Sequence, residues 1–242
     1  TAIQGHEKQR EEMIAKILQL AAKNSIDFGK INQANAYITE SINRIEKTEY
    51  SRAVEWEWRH YLASAYLLSS EIRRLSGDEK RSLSALGMAY ALSLKIKYKG
   101  VEDVAWLRMN AKIRFMAAYS QSSKESISNM DLPISDLESL SMRIKNDMHI
   151  RLSLAESLIL RGRRKSELGL NKQAQADWLS AEHILMSFPE KDRDIKFSIL
   201  LATIDIMQGE DQIAKNRINE IIRSGYRHPN FSQLLQSEKL IN

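Results

Sequence analysis

The chain has no cysteine, so disulfides, thiolate metal sites and cysteine nucleophiles are all excluded. Three prolines (Pro133, Pro189, Pro229) and nine glycines in 242 residues leave little material for the tight turns of a β-rich fold. Aromatic residues make up only 7%, which suits a helical protein held by many modest contacts. No run approaches the roughly 18–20 apolar residues needed to cross a bilayer. Residues 1–12 are polar and lack a signal-peptide core. One sign of charge is not scarce: 36 basic and 31 acidic residues give +5, mixed along the chain. That balance weakly favours an acidic partner and lacks the concentrated basic stripe of a nucleic-acid binder.

What is abundant is helical spacing. Apolar residues recurring at three- and four-residue steps predict ten helices, at about 4–26, 30–46, 51–75, 79–97, 102–120, 134–146, 148–168, 171–187, 192–208 and 211–223. Asp78 is placed to cap the fourth. The Ser-, Asn- and Asp-rich stretch 121–133 reads as a loop, and a boundary inside an otherwise single domain 1–242 would fall there. A short tail carries Phe231, Leu234 and Leu235. The expected class is all-α: ten helices paired into five antiparallel hairpins, in degenerate repeats of about 40–48 residues.

The strongest sequence signal is a frame of small residues around four glycines. Gly29 has Ala22 seven before, Ala34 five after and Ser41 twelve after. Gly77 has Ser70, Ser82 and Ala89; Gly169 has Gly162, Ala174 and Ala181 at those offsets. Gly209 has Ala202 and Ala214, then Ile221. Nine after each glycine stands a bulky residue: Ile38, Leu86, Trp178, Ile218. A glycine between helices permits a left-handed turn, and small residues at fixed places let paired helices approach closely. The glycines are 48, 92 and 40 residues apart, so the long gap holds one degenerate unit around 102–146.

At these residues the chain resembles the tetratricopeptide-repeat (TPR) superfamily. Leu158, Gly162, Gly169, Ala174, Trp178 and Ala181 carry the best match, and Leu18, Ala22, Gly29, Ala34, Ile38 and Ser41 the next. Where that family usually has an aromatic residue, four before the glycine, this chain has Arg73, Lys165 and Asp205. The family's proline after each hairpin is also missing, although Pro189 and Pro229 come a few residues later. The resemblance implies a right-handed solenoid with a concave groove, wide enough between helices of about 27 Å for an extended peptide or a partner helix. It places Glu71, Arg163, Ser166, Lys196 and Thr203 on the groove side. The segment 225–235 is similar to tails of such repeats in bacterial sensor and regulatory proteins.

No reaction is written in the chain. Its five histidines form no i, i+3 or i, i+4 pair, and no phosphate loop or nucleophile elbow occurs. Catalytic residues, cofactors and metal ligands are therefore all expected to be none. The sharpest charged cluster is Arg161, Arg163, Arg164 and Lys165. It has two readings: a donor set for a partner's carboxylate or phosphate, or a solvated helix face paired with nearby acids. Trp56 and Trp58 point about 200° apart on a helix. Trp58 fits the core stripe, whereas Trp56 is either packed on the first hairpin or an exposed contact anchor. Trp106 and Trp178 read as core, and the methionines as gap-filling core.

The expected function is a non-catalytic scaffold or adaptor that binds a protein or peptide in the groove through Arg163, Ser166, Lys196, Thr203, Glu71 and Trp56. The alternative is a sensory or regulatory domain of a larger, membrane-anchored signalling protein. A second copy of the chain is also admitted as a partner. The expected compartment is the cytoplasm, or in the alternative the outside of a bacterial membrane.

Overall fold

The computed structural model describes residues 2–48, 55–95, 103–121, 124–189 and 193–237, with the side chains of 2–6, 8, 55, 56, 234 and 237 outside the description. All regular structure among these is helical: α1 Ala2–Asp27, α2 Ile31–Lys47, α3 Glu55–Leu75, α4 Glu79–Lys95, α5 Val104–Tyr119, α6 Glu125–Arg143, α7 Met148–Glu167, α8 Asn171–Met186, α9 Ile195–Gln208, α10 Asp211–Arg223 and α11 Pro229–Ser237. Adjacent helices pack as pairs: α1 with α2, α3 with α4, α5 with α6, α7 with α8 and α9 with α10.

Two elements depart from the sequence expectation. Most of the stretch expected as a loop, 121–133, is helix, because α6 begins at Glu125 and contains Pro133. Its buried residues Ser126, Met130, Pro133, Ile134, Leu137 and Leu140 recur at helical steps, so burial outweighs poor local propensity and the N–H that proline lacks. The tail forms an additional helix, α11, whose Phe231 and Leu235 pack on Ala202, Ile206, Ala214, Ile218 and Ile221. The methionine reading also needs correction. Met130 is buried, but Met13, Met88, Met142 and Met186 are exposed.

The chain divides into two compact units, Thr1–Glu102 with Arg227–Asn230, and Asp103–Tyr226 with Phe231–Asn242. In the first, α1 to α3 enclose Ala15, Ala22, Ile26, Ala34, Ile38, Ile45, Leu62, Ala65 and Ile72. Ser41 donates its hydroxyl to the Ala15 carbonyl at 2.9 Å, and Trp58 Nε1 donates to the Ile45 carbonyl at 3.0 Å. In the second, the core runs from Ala111 and Phe115 through Leu137, Leu158 and Trp178 to Phe197 and Leu201. Phe188 and Phe197 meet edge to face, with centroids 5.2 Å apart.

The glycine frame holds. Gly29, Gly77, Gly169 and Gly209 all have φ between 73° and 78°. At Gly169 the turn is a Schellman motif: the Leu170 N–H donates to the Lys165 carbonyl at 2.8 Å and the Gly169 N–H to the Ser166 carbonyl at 2.9 Å. The same two bonds recur at the other three glycines, the glycine N–H donating to the carbonyl three residues before it and the next N–H to the carbonyl four before the glycine. Every small and bulky residue of the frame is buried. Gly162 shows why one site tolerates nothing larger than hydrogen: a Cβ there would lie 2.4 Å from Trp178 Nε1 and 3.1 Å from the Ala174 carbonyl. At the corresponding place in α3, Ser70 and Ser82 use the gap for polar contact instead, the Ser82 hydroxyl donating to the Ser70 carbonyl at 2.8 Å. Asp78 caps α4 as expected, accepting from the Arg81 N–H at 3.2 Å.

Candidate functional site

The basic cluster of α7 resolves into separate roles. The Arg161 guanidinium grips Asp177 of α8 with two bonds, 2.9 and 2.7 Å, and reaches Asp131 of α6 at 2.7 Å. Lys165 Nζ lies 2.9 Å from the same Asp177 carboxylate, and both side chains are nearly enclosed. Burial opposes the charge on Arg161, but its bonds to Asp177 and Asp131 and their negative charge outweigh it and hold its pKa raised. Arg164 donates to Glu167 at 2.9 Å and to the Tyr119 carbonyl at 3.0 Å, and its guanidinium lies over the Tyr119 ring. These three cations join α7 to its neighbours. The pairing with nearby acids expected of this face is present, but the face is not a solvated one, because Arg161, Lys165 and Asp177 are largely enclosed.

Arg163 differs. Its side chain is 51% exposed, with Glu167 one turn on at 3.4 Å, the loose geometry of a surface pair. Ser166 is half-buried, its hydroxyl 3.5 Å from Asn171 Oδ1. On α9, Lys196 is half-exposed and its backbone N–H is taken by the Asp194 cap at 2.9 Å. Thr203 donates its hydroxyl to the Ile199 carbonyl at 2.8 Å, inside its own helix. The four residues share the second unit, where α7 and α9 pack together. Glu71 lies in the first unit on α3, half-buried, with His228 Nε2 3.9 Å from its carboxylate. Trp56 falls at a position whose side chain is outside the described residues.

Glu71, Arg163 and Thr203 hold one register, six residues before their glycines, and Lys23 completes it in α1. None of the four is buried. In the second unit Lys112 of α5 and Glu156 of α7 make an ion pair of 3.2 Å between the first helices of adjacent hairpins.

A feature the sequence reading missed lies at the charged departures from the aromatic position. Lys165 pairs with Asp177, and Asp205 with Arg217 at 2.8 Å; in each case the partner sits eight residues after the glycine. The signal was present as opposite charges twelve residues apart. Asp205 Oδ2 and Arg217 Nε approach as an ion pair without the alignment of a hydrogen bond. Burial pushes the Asp205 carboxyl above its ordinary value, Arg217 pulls it down, and Glu210 and Glu182 push it up again.

Among the described residues no group of three or more His, Asp and Glu side chains could hold a metal ion, and no helix is long and apolar enough to cross a membrane. Of the polar row on α7 and α9 only Arg163 is exposed; Ser166, Lys196 and Thr203 are partly buried. No family model, no curated protein and no solved structure matches this chain.

Proposed function

We propose that this is a non-catalytic interaction module of TPR-like hairpins, stacked with a right-handed twist within each unit, whose second unit binds a peptide or partner helix in a concave groove. The observation that carries the reading is the shared register of the polar row. The place six before each glycine holds a charged or hydroxyl side chain that is not buried, in each of the four hairpins that carry the frame. Residues at one register of stacked hairpins line one surface. Arg163, Ser166, Lys196 and Thr203 then orient the bound segment, and Arg163 and Lys196 favour an acidic group on it. All four cations of the α7 cluster face carboxylates of their own unit, which supports a protein partner over a nucleic acid.

Selection of peptides from a displayed library against the immobilised chain tests this reading. Enriched peptides are expected to be acidic and to bind with Kd of about 1–100 μM. Arg163→Glu combined with Lys196→Glu should weaken them at least about tenfold, roughly 1.4 kcal/mol, with unchanged thermal melting. Peptides that bind the double variant equally well remove the groove assignment.

A further inference from the structure

Arg227 and His228 have no regular structure, yet Arg227–Asn230 are held within the first unit. The Arg227 N–H donates to the Asp27 carbonyl, at the end of α1, at 2.8 Å. A Cβ on Gly29 would lie 2.9 Å from the Arg227 carbonyl oxygen, whereas one on Gly77, Gly169 or Gly209 would meet nothing within 4 Å. Of the four frame glycines, Gly29 alone thus serves a close approach as well as a turn. The His228 side chain is 12% exposed. Its Nδ1 accepts from the Asn230 N–H at 3.2 Å, in the first turn of α11, so the neutral ring carries its proton on Nε2. That nitrogen faces the Glu71 carboxylate at 3.9 Å. Glu71 is the α3 member of the polar row, six residues before Gly77. One short strap therefore lies on the α1–α2 turn and reaches the row on α3.

We propose that the first unit has a peptide site of its own, for a basic segment, and that Arg227–Asn230 occupy it and keep it closed. This rests on the reading of the polar row as a binding surface. The strap shows what the site takes. It offers an N–H to the Asp27 carbonyl, a main chain closer to the turn than any side chain at Gly29 would allow, and a nitrogen base toward Glu71. An incoming segment with arginine or lysine at the His228 place would set a permanent charge against Glu71. An imidazole carries that charge only when protonated. A basic segment therefore competes with the strap, while the second unit, whose row carries Arg163 and Lys196, favours an acidic one. The two sites select ligands of opposite sign.

Hydrogen exchange of the Arg227 amide in the whole chain reads the strap. Gly29→Ala and His228→Ala should each speed it at least about tenfold with unchanged helicity, by opening the strap locally. Gly77→Ala imposes a similar turn strain with nothing above it, and should leave the rate within about twofold. Selection from a displayed library against immobilised His228→Ala chain should then yield basic peptides that the parent binds at least about tenfold more weakly. Glu71→Lys in that variant should abolish their binding, and Arg163→Glu with Lys196→Glu should not. The two sites thus fail separately: acidic peptides that ignore the Arg163 and Lys196 changes strike the second-unit groove alone. An Arg227 amide that exchanges no faster in either strap variant overturns the proposal. So does a selection that yields no basic peptides, or basic peptides that bind the parent equally well or ignore Glu71→Lys.

Discussion

Lys165 Nζ sits 2.9 Å from Asp177 Oδ2 across the α7–α8 hairpin, and the next hairpin repeats the relationship with the charges exchanged, Asp205 on α9 against Arg217 on α10. Lys165 and Asp205 each stand four residues before the glycine of their hairpin. Here the hairpins are fastened by ion pairs at that place, and the left-handed glycine turn four residues later holds the geometry.

The Lys165 pair predicts an asymmetric mutational response. Asp177→Ala leaves Arg161 and Lys165 without the carboxylate they share, and should cost about 3–5 kcal/mol. Lys165→Met leaves Asp177 gripped by Arg161 and should fall within about 1 kcal/mol of the parent. Adding Lys165→Met to Asp177→Ala should recover about 1–2 kcal/mol, because one stranded cation is removed. Urea unfolding of the four proteins measures all three values. Equal losses for the two single variants would rule out this division of roles.

The raised Asp205 pKa predicts a pH dependence of definite sign. The folded carboxyl holds its proton more tightly than the unfolded one, whose value is 3.8. The native state therefore carries more protons between 3.8 and the raised value, and stability falls as pH rises through that window, then levels. Asp205→Asn cannot titrate. Its stability relative to the parent should climb over the same window, as read from denaturant midpoints at a series of pH values. A relative stability that falls instead would show that attraction to Arg217 dominates.

Two glycines seven residues apart should respond differently to the same substitution. Gly162→Ala forces a methyl against the Trp178 indole and the Ala174 carbonyl, and should cost about 2–3 kcal/mol. Gly169→Ala meets no neighbouring atom but must hold φ near 77°, and should cost roughly 1–2 kcal/mol. Trp178→Leu combined with Gly162→Ala should recover part of the first loss and none of the second. Thermal melting distinguishes the two mechanisms.

Much of the fold was legible because its spacing rules are local. A glycine with small residues seven before and five after dictates both the turn and the close approach, and Gly169, Gly162 and Ala174 appear in the structure as that frame requires. Asp78 was recognisable as a cap because a cap needs only three residues of context. Pro133 misled because helix formation there depends on burying Met130, Ile134 and Leu137, and no window around the proline reveals that. Tail residues Phe231 and Leu235 needed a partner on α9 and α10 to show that they form a helix. At the candidate site, Arg163 was separable from Arg161 only once Asp131 and Asp177, on other helices, were in place. The partners of Lys165 and Asp205 lay twelve residues away, beyond the one-turn spacing at which helical ion pairs are usually sought.

Opposite polarity in the two hairpins also bears on how the chain finds its own partners. Were α7 to pair with α10, Lys165 would confront Arg217; were α9 to pair with α8, Asp205 would confront Asp177. Each wrong match would bring like charges together, whereas each right one brings opposite charges together. Hairpins alike enough to be mistaken for one another thus differ in the charge that each second helix must present.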